Sequence, residues 1–209
     1  MVVAAADAIA KSRFINAEVH IARNAEGPIR TRTRLRLYIG TAAVNTLMVI
    51  MSREQLMPGE AGLVQFRLSE PLGCVPGDGF VLSLLNKNWG MAGGRVLEIT
   101  DEKYRQAKDP WIRPRLQAVG KGNISGYLDS VYDRYPHRAV RAKDLEGRTL
   151  FSAPDLAADI HRRLRHGEAV HIENAGTLKK THYDQIDAAD HRNNRMPACP
   201  KNIENSVFY

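Results

Sequence analysis

Arg30, Arg32, Arg34 and Arg36 fall on alternate residues in the run Ile29-Arg30-Thr31-Arg32-Thr33-Arg34-Leu35-Arg36-Leu37. Alternation is the period of a β-strand, so the spacing predicts four guanidiniums on one face, stepping roughly 6.5–7 Å apart. A planar guanidinium can grip a phosphate through two N–H groups, and that step suits a phosphate backbone. Polyanion binding is the chemistry to expect. The plainer alternative is a solvated strand face whose charge prevents edge aggregation. Two further basic groups are secondary nucleic-acid candidates. One is the aromatic-bearing stretch with Tyr104, Arg105, Lys108, Trp111, Arg113 and Arg115; the other is Arg162, Arg163 and Arg165 near the end of a helical segment.

Other chemistries find little support. No G-x-x-x-x-G-K-[ST] phosphate loop occurs, and Gly90-Met91-Ala92-Gly93-Gly94 reads as a tight turn between strands. His161, His166 and His171 with Glu168 and Glu173 form a loose cluster, but a five-residue His spacing does not share one helical face. They read as exposed polar residues, so no metal site is expected. His166-Gly167-Glu168 with Cys199 lacks the second cysteine of a zinc deaminase. Asp101-Glu102 and Asp187/Asp190 read as solvated charges, and Cys74 as a core thiol. No spacing argues for catalysis.

Composition agrees with a polyanionic partner. The chain of 209 residues carries 30 Lys+Arg against 23 Asp+Glu, a net charge of +7 and a pI near 9.6. The excess is local: Lys11 to Arg36 holds seven basic residues against Glu18 and Glu26, and Lys103 to Lys121 holds six against Asp109. Such a balance speaks to partners and little to fold. At 44% hydrophobic residues the chain can build a core. No apolar stretch approaches the ~18 residues of a membrane span, and Met1–Asp7 lacks a signal peptide's basic region. Two distant cysteines, Cys74 and Cys199, favour a reducing, cytoplasmic setting.

The elements that must position these residues fall in two parts. Short alternating runs at 14–22, 29–37, 43–51, 62–68, 79–85 and 93–99, separated by turns such as Met57-Pro58-Gly59-Glu60 and Val75-Pro76-Gly77-Asp78, predict a small antiparallel β-barrel over 14–100. Residues 1–13 lead into it. Asp101–Lys108 is helix-compatible until Asp109-Pro110, so 101–121 reads as a basic linker helix. Residues 122–180 read as a winged-helix-like domain of three helices and a two-stranded ribbon. Its last helix is expected to begin with Ser152 as N-cap and Pro154 in the first turn, and to end at Gly167. Residues 181–209 read as a weakly structured tail.

The β segment resembles the third domain of translational elongation factors, most closely the selenocysteine-specific (SelB-type) factor. In order along the chain, the residues that carry the resemblance are Arg32-Thr33-Arg34-Leu35-Arg36-Leu37-Tyr38-Ile39-Gly40-Thr41-Ala42-Ala43-Val44, Leu56-Met57-Pro58-Gly59-Glu60, Val64-Gln65-Phe66-Arg67-Leu68-Ser69-Glu70-Pro71-Leu72, Pro76-Gly77-Asp78-Gly79-Phe80-Val81-Leu82 and Gly93-Gly94-Arg95-Val96-Leu97. The α-rich part resembles the winged-helix region that follows the barrel in such factors. The resemblance implies a C-terminal piece of a translation factor that helps bind selenocysteinyl-tRNA, chiefly through the T-stem backbone. Arg32, Arg34, Arg36, Asn45, Asn86, Lys87 and Asn88 would face the tRNA, with Arg113, Arg115, Arg162 and Arg163 as secondary contacts. GTP and magnesium would belong to a GTP-binding domain that has no counterpart in this sequence, so the piece itself implies no cofactor and no catalysis. The ribosome and the selenocysteine insertion hairpin of the mRNA would be met only through the full-length factor, and no membrane is implied. The sequence departs from the general elongation factor at Glu70, where that protein has a basic tRNA contact. The alternatives are a structural or protein-interaction module and a DNA-binding winged-helix regulator.

Overall fold

Eight strands form from the alternating segments, in a computed structural model that describes residues 11–85, 90–105, 109–173 and 175–192. They are β1 (Lys11–Ile21), β2 (Ile29–Arg30), β3 (Thr33–Ile39), β4 (Ala42–Ile50), β5 (Gln55–Leu56), β6 (Ala61–Gly73), β7 (Gly79–Leu84) and β8 (Gly90–Thr100). Six of them close into an antiparallel barrel in the order β1-β6-β4-β3-β7-β8, and β2 pairs with β5 as a separate short ribbon. The expected barrel is therefore present. The inward set of β1, Ile15, Ala17, Val19 and Ile21, is buried with Leu35, Leu37, Met48, Val64, Phe66, Leu82 and Val96. Phe66 and Phe80 meet edge to face inside it, with centroids 5.0 Å apart.

The glycine-rich segment is a correction. Gly90–Gly94 forms the start of β8 instead of a turn. Its glycines serve close approach: a Cβ on Gly94 would lie 2.0 Å from the Glu18 carbonyl oxygen and 2.9 Å from the Phe80 ring. Gly94→Ala is expected to cost about 3 kcal/mol or more, since the contact is with backbone that cannot step aside. Gly27→Ala, where a Cβ meets nothing within 4 Å, should be nearly neutral. Urea denaturation of both variants checks this.

After the barrel, residues 101–105 are not helical, and α1 (Ile112–Gly120) follows Asp109-Pro110. Within the expected linker helix over 101–121, the described helix lies after that proline, and residues 106–108 lie outside the described residues. Pro114 falls in its first turn, where the missing N–H costs nothing. α1 packs on β1, β6 and β8. The segment Gly147–Leu150 also belongs to the barrel unit: Thr149 bridges Glu98, and Ile99 N donates to Arg148 O at 2.8 Å.

The second unit comprises residues 124–146 and 151–209. Within it come α2 (Ile124–Arg134), α3 (Ala142–Leu145), α4 (Ala153–Arg165), a ribbon of β9 (Ala169–Ile172) and β10 (Gly176–Lys179), and α5 (Lys180–Arg192). Ser152 caps α4 by accepting from Asp155 N at 3.3 Å, and Gly167, at φ +68, ends it. Leu156, Ile160, Tyr127, Leu128 and Leu178 are buried. α5 occupies part of what reads as a tail; among its residues 180–188, His182, Tyr183 and Ile186 form a half-buried stripe, too narrow for the periodicity to reveal. The expected tail from 193 onward lies outside the described residues, as do Asn86, Lys87 and Asn88.

Burial, followed by the Asp78 carboxylate, pushes the Cys74 thiol up to about 12. With Cys199 replaced by serine, a disulfide reagent at pH 8 is expected to modify native Cys74 on the order of 100-fold more slowly than in urea, because the thiolate is the reactive form.

Candidate nucleic-acid interface

The outer wall of the barrel divides into a covered and an exposed half. On β1, β6 and β8 the outward residues Asn16, Gln65 and Glu98 are buried beneath 101–105 and α1. Asn16 Nδ2 donates to Glu98 Oε2 at 3.0 Å, and Gln65 Nε2 donates to Asn16 Oδ1 at 3.2 Å and to Glu102 O at 3.0 Å. Tyr104 N donates to Gln65 Oε1 at 3.0 Å. Arg115 on α1 closes this network by an ion pair with the buried Glu98, its guanidinium 5.8 Å from the Trp111 ring centroid. These side chains fix the linker to the barrel.

On β3 and the first half of β4 the outward residues stay in solvent. Leu35, Leu37 and Ile39 point into the core, so Arg34, Arg36 and Tyr38 point out. Arg36 registers with Asn45 and Arg34 with Leu47 on β4, and Tyr38 with Val81 on β7. Leu47 in turn registers with Arg67 on β6. Arg34 and Arg67 thus stand two inter-strand spacings apart, roughly 9.5 Å. Among the described residues, no carboxylate pairs with the side chains of Arg30, Arg34 or Arg36.

The four-arginine row is not one strand. Thr31 and Arg32 form a turn between β2 and β3, with Arg32 in the left-handed region at φ 66. Thr31 Oγ1 accepts from Ile50 N at 3.1 Å, and Thr33 Oγ1 donates to Arg30 O at 2.7 Å. These bonds hold the break. Arg30 pairs with Gln55 in the side ribbon, apart from Arg34 and Arg36. Arg32 N donates to Met48 O at 2.7 Å, which sets its side chain beside Arg67. Arg105 belongs to the basic stretch expected as a secondary contact, whereas Arg67 is not among the expected site residues, though its outward place in Val64-Gln65-Phe66-Arg67-Leu68 is a readable signal.

The secondary candidates fare unequally. Arg113 is exposed on α1. Arg115 is not available as expected, because it is 7% exposed and spent on Glu98. Arg163 is likewise withdrawn. It is 3% exposed and donates to Asp129 and Asp159 at 2.8 Å and to Ser125 O and Oγ. Burial pulls its pKa down, but the bonds to Asp129 and Asp159 outweigh that and raise it. Arg162 is half-buried and paired with Asp159 and Glu168. Arg162 and Arg163 are therefore neutralised from within their own unit, while Arg165 at the end of α4 stays exposed.

Comparison with known proteins bears on the barrel. Residues 16–103 match the family model of the selenocysteine-specific elongation factor β-barrel domain. The barrel is of the selenocysteine-specific elongation factor type. A selenocysteine-specific elongation factor from Desulfomicrobium baculatum is 28% identical over 79 residues, which is 38% of this chain and 12% of that protein. The crystal structure of a bacterial selenocysteine-specific elongation factor, EF-Sec, superposes with a TM-score of 0.61 at 14% identity, over 88% of this chain and 26% of that one. That likeness is one of fold. The chain spans about an eighth of the sequence relative and about a quarter of the structural one. The exposed arginine face of this barrel lies on β3 and β4.

Proposed function

We propose that this chain contributes to selenocysteinyl-tRNA binding in a translation factor, through phosphate contacts made by the exposed face of β3 and β4. The observation that carries the proposal is the contrast between arginines. Arg34 and Arg36 stand exposed without carboxylate partners beside Asn45, whereas two of the three arginines of α4, Arg162 and Arg163, are occupied by Asp129, Asp159 and Glu168. Phosphate contacts give affinity and register but little sequence discrimination, so tRNA identity would be read elsewhere in a full-length factor. Arg32 extends the same face from the turn. Asn86, Lys87 and Asn88 join it on the family resemblance alone. The GTPase activity, the ribosome and the mRNA hairpin would belong to the whole factor, acting in the cytoplasm.

The second unit is read as a winged helix. Its order of helices and ribbon supports this, as does the bridge from Val140, between α2 and α3, to Thr177 on β10. With Arg162, Arg163 and Lys179 all engaged by acidic neighbours, a spacer or protein-contact role suits it better than duplex DNA recognition.

The test is fluorescence anisotropy of the purified chain with labelled tRNA. Binding is expected at ~50 mM salt and should weaken steeply by ~200 mM, as counterion release requires. Undetectable binding at low salt, or binding indifferent to salt, would remove the reading.

A further inference from the structure

Three arginines from separate parts of the barrel unit converge beside the exposed face. Arg67 projects outward from β6 and donates through Nη2 to Tyr104 O at 2.7 Å. That bond brings it next to Arg105. Leu47, its register partner, precedes Met48, whose carbonyl holds Arg32 N at 2.7 Å. Arg32 sits there at φ 66, a conformation that disfavours any side chain other than glycine's. Arg67 Nε is buried without a hydrogen-bond partner. Burial, then the charges of Arg32 and Arg105, lower the Arg67 pKa. Among the described residues no carboxylate offsets the three; Asp109 accepts from the Arg105 backbone N–H, at 2.8 Å, and not from its side chain. An unmet donor, a strained backbone and mutual repulsion all oppose folding. An oxyanion would relieve the unmet donor and the repulsion.

We infer that Arg32, Arg67 and Arg105 form a pocket for one phosphate group, a subsite beyond the β3–β4 row in which Arg67 presents its guanidinium and the other two close around the oxygens. A backbone phosphate of RNA lying along Arg34 and Arg36 is the ligand that fits, because Arg67 continues that row across Leu47. The pocket rests on the RNA-binding reading only for the molecule that delivers the phosphate.

The test is an arginine side-chain N–H spectrum of the full chain, titrated separately with inorganic phosphate and with a short RNA duplex. The variant is Arg32→Gly/Arg105→Gln, which keeps the Arg67 bond to Tyr104 and places glycine where the backbone favours it. The expected result is a saturable shift of the Arg67 Nε–H signal with both probes in the wild type, and none in the variant. The variant should also lower the slope of log affinity against log salt for the duplex by about one to two. Arg30→Gln, which removes one positive charge outside the cluster, should leave the Arg67 response intact. No response to either probe overturns the pocket, and so does a response that survives in the variant. A response to inorganic phosphate alone overturns the RNA-backbone assignment. Duplex binding with Arg67 silent removes the pocket while leaving the broader RNA-binding reading in place.

Discussion

Arg115→Ala is expected to destabilise the barrel unit by about 3–5 kcal/mol, because it strands a buried carboxylate. Glu98 is 1% exposed, and its remaining described partner is the Asn16 amide at 3.0 Å. Neither solvent nor that amide can replace a guanidinium. Removing both charges in Arg115→Met/Glu98→Leu should recover part of the loss, since a buried ion pair repays little beyond its own desolvation. Recovery stops short of complete because Asn16 then loses its acceptor and remains tied only to Gln65. Urea denaturation followed by tryptophan fluorescence reads this, with Trp111 beside the network. Equal stability of Arg115→Ala and wild type would show that α1 does not depend on Glu98.

Arg34→Ala/Arg36→Ala is expected to weaken tRNA binding about 10- to 100-fold at ~0.1 M salt, and to lower the salt slope by about two, one per lost phosphate contact. Stability should barely change, because both side chains are exposed and make no described ion pair. That separation matters. A binding loss accompanied by unfolding would say nothing about the face, so the double variant should be compared with wild type at matched folded fractions. Anisotropy over a salt series supplies the slope.

The barrel was legible because its strands alternate cleanly and its turns carry Pro-Gly signals. Ile15, Ala17, Val19 and Ile21 announce an inward face, and they are buried as that pattern requires. The break at Thr31–Arg32 was not legible. Thr-Arg-Thr continues the alternation without interruption, and nothing local signals a left-handed arginine. The turn depends on Ile50 N and Met48 O, which are distant in sequence. The helix within 101–121 begins later than expected because Asp109-Pro110 reads equally as a stop and as a start. Arg115 and Arg163 illustrate a further limit. A basic residue on a helix advertises its charge but not its partner, and Glu98, Asp129 and Asp159 are brought to these two only by tertiary packing. The exposed face itself could be read from sequence in β3, but its extension across Leu47 to Arg67 required the register of three strands.

The most direct measurement is a backbone amide footprint of the intact chain on adding an RNA hairpin that carries a tRNA acceptor and T-stem. Perturbations are expected on Arg34 to Tyr38 and Ala43 to Leu47, fading as salt rises. Perturbations confined to α4 and the β9–β10 ribbon, or none at low salt, would contradict the placement of the RNA contact on the barrel.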